Sequence, residues 1–576
     1  MNRILVQTSR WLASAVVAAI LAACGGGGGG NAGEAKSFDY DIAPPTPKPA
    51  SDADASRFLA QSTFGPTVGE INRLKSIGFD AWMLDQMNRG YASHVHTLRV
   101  RTMLDQERTD PHRDWVQDSF WREAISGDAQ LRHRVAFALS QIFVISMNDG
   151  DVARYPLGVA SYLDTLTRHA FGNYRDLLEA VALHPMMGLY LTHLGNEKED
   201  PKTHRTADEN FAREVMQLFS IGVVELAIDG TPIRNPEGVP VETYTNDDVT
   251  GMAKVFTGLS WGGGDTSRGR FKGWESADQK EILPMQGYPQ YHSMAEKSFL
   301  AATLPGGSDD AIFELKAALD VLAGHPNVGP FIGKQLIQRL VTSNPSPAYV
   351  ARVATVFNDN GRGERGDLAA VVRAILYDPE ARDPTVALQP GWGKIREPVL
   401  RLAHWARVSR GHSRTDHYRI GRTTDPAESL GQAVLYSPSV FNFYRPGYVP
   451  PNTAAGQANL LAPEMQITDE SSVAGYLNTI RSTVQRGIGS GNPRDVQMDY
   501  RDWLPLAANP AELVERVNLL LMHGQMSNDM RVRLIEAADS VNLNRSNTEE
   551  VEQAHLNRIR LVLFLALASA EYLTQK

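Results

Sequence analysis

Cys24 is the only cysteine in the chain, and it lies ahead of everything that could fold. From Gly25 to Lys576 there is no thiol, so no disulfide can staple the body and no thiolate can hold zinc or attack a substrate. The body has to be held by an apolar core, and a hydrophobic share of 42% is enough to build one. Any chemistry falls to carboxylate, imidazole, hydroxyl or amine groups.

The residues around Cys24 state where the chain goes. Arg3 and Arg10 precede an apolar run over 11–23, which ends in Leu21-Ala22-Ala23-Cys24 and gives way to six glycines. A positive start, a short apolar stretch and small residues at the cut make a secretory signal. The thirteen residues of the largely apolar run 11–23 fall short of the roughly 20 that a spanning helix needs. With cysteine at the cut, the segment resembles a bacterial lipoprotein signal, in which the thiol is acylated and becomes the new N-terminus. Gly25 follows where an Asp would retain a lipoprotein at the inner membrane, so the outer membrane is expected. Residues 1–23 are read as the signal and 24–52 as a Gly- and Pro-rich tether ending in Pro44-Pro45-Thr46-Pro47-Lys48-Pro49. Residues 53–574 are read as a single helical domain. Losing 1–23 removes Arg3, Arg10 and no acid, so the formal charge moves from −9 to −11. That charge disfavours nucleic acid as a partner.

Helical periodicity runs through the body. Leu131, Val135, Ala138, Leu139 and Ile142 share one face, with Arg132 and Arg134 opposite. Residues 174–183, 208–221, 312–323, 331–342, 367–377 and 394–407 repeat the pattern, and Val551, Ile559, Val562, Leu563 and Ala566 close the chain on a broad apolar face. Two long stretches, about 226–307 and 409–463, are non-periodic and rich in Gly, Pro and aromatics; loops of that length are often functional. The expected class is mainly α, a large helical body carrying two elaborate loop regions.

The densest polar segment is 208–219. On a helix Phe211, Val215, Leu218 and Phe219 form a buried stripe, Asn210, Glu214 and Gln217 line the stripe beside it, and Glu209 pairs with Arg213 four residues on. Glu209 and Glu214 are candidate acids, with His184 and His292 as imidazole partners; Asn210 and Arg213 are candidate ligand contacts. A salt-bridged structural helix explains the same residues. Tyr444 and Tyr448, in an aromatic run among Pro and Gly, are candidate platforms for stacking on a sugar, although such rings also plug loops into cores. Thr245-Asn246-Asp247-Asp248 reads as a capping box. Gly258-Leu259-Ser260-Trp261-Gly262 matches a nucleophile elbow but lacks the strand before it and the helix after it. No histidine spacing suits zinc, and there is no phosphate loop or dinucleotide fingerprint, so neither metal nor cofactor is expected.

Several segments together resemble a bacterial family catalogued as domain of unknown function 1800. They are Arg57-Phe58-Leu59-Ala60-Gln61-Ser62-Thr63-Phe64-Gly65, Ala182-Leu183-His184-Pro185-Met186-Met187-Gly188, residues 208–222 and 244–258, His325-Pro326-Asn327-Val328-Gly329-Pro330-Phe331-Ile332, residues 437–448, and Ala568-Ser569-Ala570-Glu571-Tyr572-Leu573. The resemblance implies a helical, exported protein, often encoded beside a sulfatase-like protein. Many members carry Trp-His-x-His-Phe where this chain has Leu139-Ser140-Gln141-Ile142-Phe143, so a role for those histidines does not carry over. The combined expectation is an outer-membrane-tethered lipoprotein that binds or processes an extracellular polymer such as a polysaccharide, in a cleft walled by the two loop regions. The other reading is a non-enzymatic scaffold that docks a secreted, sulfatase-like partner.

Overall fold

Ser, Thr, Asn or Asp stands before many of the helices, and its side chain accepts one of the first free N–H groups. Ser51, Thr67, Asn173, Thr245, Asp310, Ser346, Asp367, Asp469, Asn509, Ser527 and Asn547 all do so. The computed structural model describes residues 47–576 except 91–92, 108–111, 275–278 and 545–546. The signal, Cys24 and most of the tether lie outside them. Among the described residues there are 25 α-helices, and strands occur only as short antiparallel pairs. The protein is mainly α. None of these helices is long and apolar enough to cross a membrane.

Two helices lie at the centre, Gln130–Ser140 and Pro398–Val408, and every residue of both is buried. Helices Asp114–Ser126, Pro156–His169 and Val328–Leu340 pack on the first; Asp114–Ser126 and Pro510–Met522 pack on the second. Arg132 and Arg134, expected on a charged outer face, are therefore inside. Short helices explain this. Each helix ends in carbonyls with no partner of their own, and where such an end is buried a guanidinium can satisfy it. Arg132 donates to Met87 and Thr167 at two helix ends, Arg134 to Arg339, Arg339 to Gln141, and Arg407 to Ile125. Arg365 donates to Ala323 and His325, where helix Ala311–Gly324 stops.

The largest departures from the periodicity are at two helix ends, while the 331–342 pattern is a helix over Val328–Leu340. The 208–221 pattern is helical only over Asn210–Gln217, because Ser220 Oγ bonds the Val215 carbonyl and Gly222 turns the chain with φ of 73°. The 394–407 pattern begins at Pro398. Residues before a proline favour extended backbone, and Lys394–Ile395 instead forms a strand paired with Thr574–Gln575. The capping box at Thr245 and Asp248 forms and opens helix Asn246–Val255.

At the start of the first non-periodic stretch, residues 223–243 build a small module of three extended segments joined by isolated antiparallel bridges. Glu225 N–H donates to Val241, Val241 N–H to Ile233, and Ile233 N–H to Glu225, so each segment pairs with both others. The three residues stand eight apart, and the turns between the segments carry Asp229-Gly230 and Glu237-Gly238. Asn327 clamps the base of the module: its amide donates to Ile221 and Val224 and accepts from Leu226 N–H at 2.8–2.9 Å.

Candidate functional site

A cavity of about 400 Å³ opens between this module, helix Val328–Leu340 and residues 440–447. Its mouth is apolar, with Val223, Val224, Leu226, Phe331, Val440 and Phe441, each at least partly exposed. Its floor is polar and buried: Gln141, Gln335, Gln338 and Arg339 are each 8% exposed or less. Lys334 stands in the wall, where burial lowers its pKa.

The floor is held from behind by a charge network. Glu397 Oε2 accepts from Gln141 Nε2 at 2.5 Å, Gln432 Nε2 at 2.6 Å and Tyr444 Oη at 2.8 Å. Lys394 lies 3.1 Å from Glu464 and donates to the Arg339 carbonyl. Burial holds the Glu464 carboxyl above its usual range, and burial lowers Arg134 to about 10. Arg339 is fixed by the carbonyls of Gln335 and Gln141. Gln141 Oε1, Gln335 Nε2 and Arg339 Nε are nonetheless buried with no hydrogen-bond partner among the described residues. Unpaired buried polar atoms are costly, and three of the polar residues that line this cavity each carry one.

The residues singled out from sequence are distributed differently. Tyr444 is 4% exposed and its hydroxyl holds Glu397, so the ring supports the floor and cannot serve as an open stacking platform. Tyr448 is half-buried and its carbonyl accepts from Ala462. Glu214 is buried one turn before the cavity residue Gln217, with Oε2 unpaired among the described residues, and burial raises its pKa. Burial first, then the charges of Asp149 and Glu214, push the Tyr190 phenol up to about 12. Glu209 bonds Thr250 and Arg213, and Asn210 lies exposed against Thr192.

Neither histidine joins these carboxylates. His184 caps its own helix, Nδ1 accepting from Met186 N–H, and burial drives it to about 3. His292 lies 2.9 Å from Glu314, which also pairs with Lys297 at 2.7 Å, all three buried. Ser260, in the elbow-like match, donates to the Phe271 carbonyl inside the core. Among the described residues no group of three or more His, Cys, Asp or Glu is placed to hold a metal ion.

The sequence reading missed Gln141, Gln335, Arg339 and Glu397. No local pattern marks them, since they come from three separated segments. One signal was present: Ser140-Gln141-Ile142 coincides with the Trp-His-x-His-Phe segment of the resembling family, and Ile142 and Gln141 both line the cavity.

Fold and site together define a mainly helical protein with a polar-floored cavity beside the 223–243 module. The chain belongs to the family described as protein of unknown function (DUF1800), whose profile matches residues 57–574. No curated protein and no solved structure matches it.

Proposed function

We propose that this protein is a lipoprotein of the cell envelope, held at the outer membrane by acyl chains on Cys24, whose body captures an extracytoplasmic ligand in the cavity beside the 223–243 module. The cavity's chemistry carries this reading: behind an apolar mouth it is lined by buried polar residues, three of which carry an atom without a partner among the described residues. An envelope polymer such as a polysaccharide fits the expected location. A volume of about 400 Å³ admits an end or a pendant group of such a polymer rather than a length of it. Binding is favoured over hydrolysis because His184 and His292 are each engaged in the core, away from Glu209 and Glu214.

The test uses the full chain, with and without Val440→Trp, which fills the mouth. Size-fractionated envelope polysaccharide fragments are titrated calorimetrically, with circular dichroism as the folding control. Saturable binding that Val440→Trp abolishes is expected. Binding that survives in a folded Val440→Trp protein, or no binding to either, overturns the reading.

One observation favours the scaffold reading. Ile228, Ile233, Val239 and Val241, 37–56% exposed, are apolar side chains that the module leaves open outside the cavity lining. A secreted partner, sulfatase-like by the family's resemblance, would dock there. Ile228→Asp with Val239→Asp would then abolish complex formation in sedimentation and leave the cavity's ligand bound.

A further inference from the structure

We infer that the cavity takes an apolar carboxylate, entering head first so that its anionic end meets the floor and its hydrocarbon body fills the mouth. This rests on the ligand-binding reading above and names the ligand's chemical class.

Arg134, Arg339 and Lys394 are buried cations around the floor, and the carboxylates among them are Glu397 and Glu464. Of the residues that line the cavity, Lys334 and Arg339 are cations and none is an Asp or Glu, so neither faces an anion across the cavity. A buried charge that faces no opposite charge is costly to a fold, and a bound anion offsets that cost.

Hydrogen bonding agrees. Two of the three floor atoms without partners among the described residues, Arg339 Nε and Gln335 Nε2, are donors and suit the two oxygens of a carboxylate. The third, Gln141 Oε1, is an acceptor, and a carboxylate alone leaves it unmet. A hydroxyl close to the carboxylate supplies the missing donor, so a hydroxy acid is the better match. The mouth accounts for the rest of the ligand: Val223, Val224, Leu226, Phe331, Val440 and Phe441 offer apolar surface and no hydrogen bonds from their side chains.

Decanoate, 3-hydroxydecanoate, decanamide and chitotetraose are titrated into the full chain carrying Cys24→Ser, which needs no detergent. The expected order is 3-hydroxydecanoate tightest, decanoate next, decanamide at least tenfold weaker than decanoate and chitotetraose without measurable binding. Val440→Trp should abolish all of it, and Gln335→Leu should weaken decanoate at least fivefold. Equal affinity for decanoate and decanamide, or decanoate binding indifferent to Val440→Trp, overturns the inference. If polysaccharide fragments bind in the cavity and decanoate does not, the inference falls while the binding reading stands. Phosphatidylcholine vesicles with and without oleic acid distinguish the sources. Displacement of soluble decanoate only by the doped vesicles assigns the group to a membrane lipid, and displacement by neither assigns it to a free acid.

Discussion

His184 and the core arginines show how a polar residue serves inside this protein. Arg407 reaches the carbonyls of Gly65 and Ile125, and burial lowers its pKa to about 10, so it stays charged at neutral pH. Nothing in the periodicity separates such an arginine from one on a solvated face. Arg132 and Arg134 read as the outside of an amphipathic helix, and only the position of neighbouring helix ends reveals their task. His184 is the converse, because its place before Pro185 points to a helix boundary and the structure puts it at an N-cap. Its pKa is depressed to about 3 by burial, so the native state keeps the ring neutral while the unfolded chain protonates it below about 6.5. The unfolded state then binds the extra proton, and the stability His184 contributes is fully present above about pH 6.5 and lost as pH falls toward 3. His184→Asn keeps a capping acceptor without the titration. Its stability, from urea midpoints between pH 4 and 7, should depend on pH less steeply than the parent's by about 1.4 kcal/mol per pH unit below pH 6. Identical slopes for the two proteins would remove this account of His184.

At the scale of elements, helices with strong apolar faces were legible, and their ends were legible where a cap or a proline marks them. The 223–243 module was not. Its extended segments are too short for alternation to register, and its pairing is cyclic, held by backbone bonds between residues 225, 233 and 241. The recurring signal is spacing: Asp229-Gly230 and Glu237-Gly238 stand eight apart, with Gly230 and Gly238 at φ of 74° and 82°. The base of the module is tied to the body by side-chain bonds and close packing. Thr243 Oγ1 bonds Gly222, an added Cβ on Gly222 would stand 2.8 Å from the Phe331 ring, and Asn327 makes three bonds to the 221–226 segment. Asn327→Ala removes those three bonds, worth about 1 kcal/mol each, and their loss falls on local opening of the module rather than on the helical core. Thermolysin should cleave the variant within 223–243 at least tenfold faster, with a change in Tm of only a few degrees. Unchanged cleavage would mean that the base of the module is held by something other than Asn327.

Across the whole molecule, the cavity floor depends on the chain's last residues. Glu397, Lys394 and Arg339 come from segments that meet only in the fold, so the class of protein was legible from periodicity while its site was not. The joint that brings them together is Lys394–Ile395 paired with Thr574–Gln575. Gln575 Nε2 donates to the Leu340 carbonyl at the end of the helix that forms the cavity wall. Tyr572 Oη donates to the Arg401 carbonyl, and Arg396 donates to the Tyr572 carbonyl. Gly393 passes so close to Gln575 that a Cβ there would stand 2.3 Å from its carbonyl oxygen, with φ of 100° that favours glycine. Removing 572–576 therefore strips carbonyl partners from two buried helices and frees the strand that carries Lys394 against Glu464. Each buried group left unpaired costs about 1–3 kcal/mol, so the truncated protein should lose at least 5 °C in Tm together with all cavity binding. Deleting 31–40, in the expected tether, is the matched control and should leave both unchanged. A truncated protein that kept its Tm and its ligand would show that the floor is assembled without the C-terminal strand.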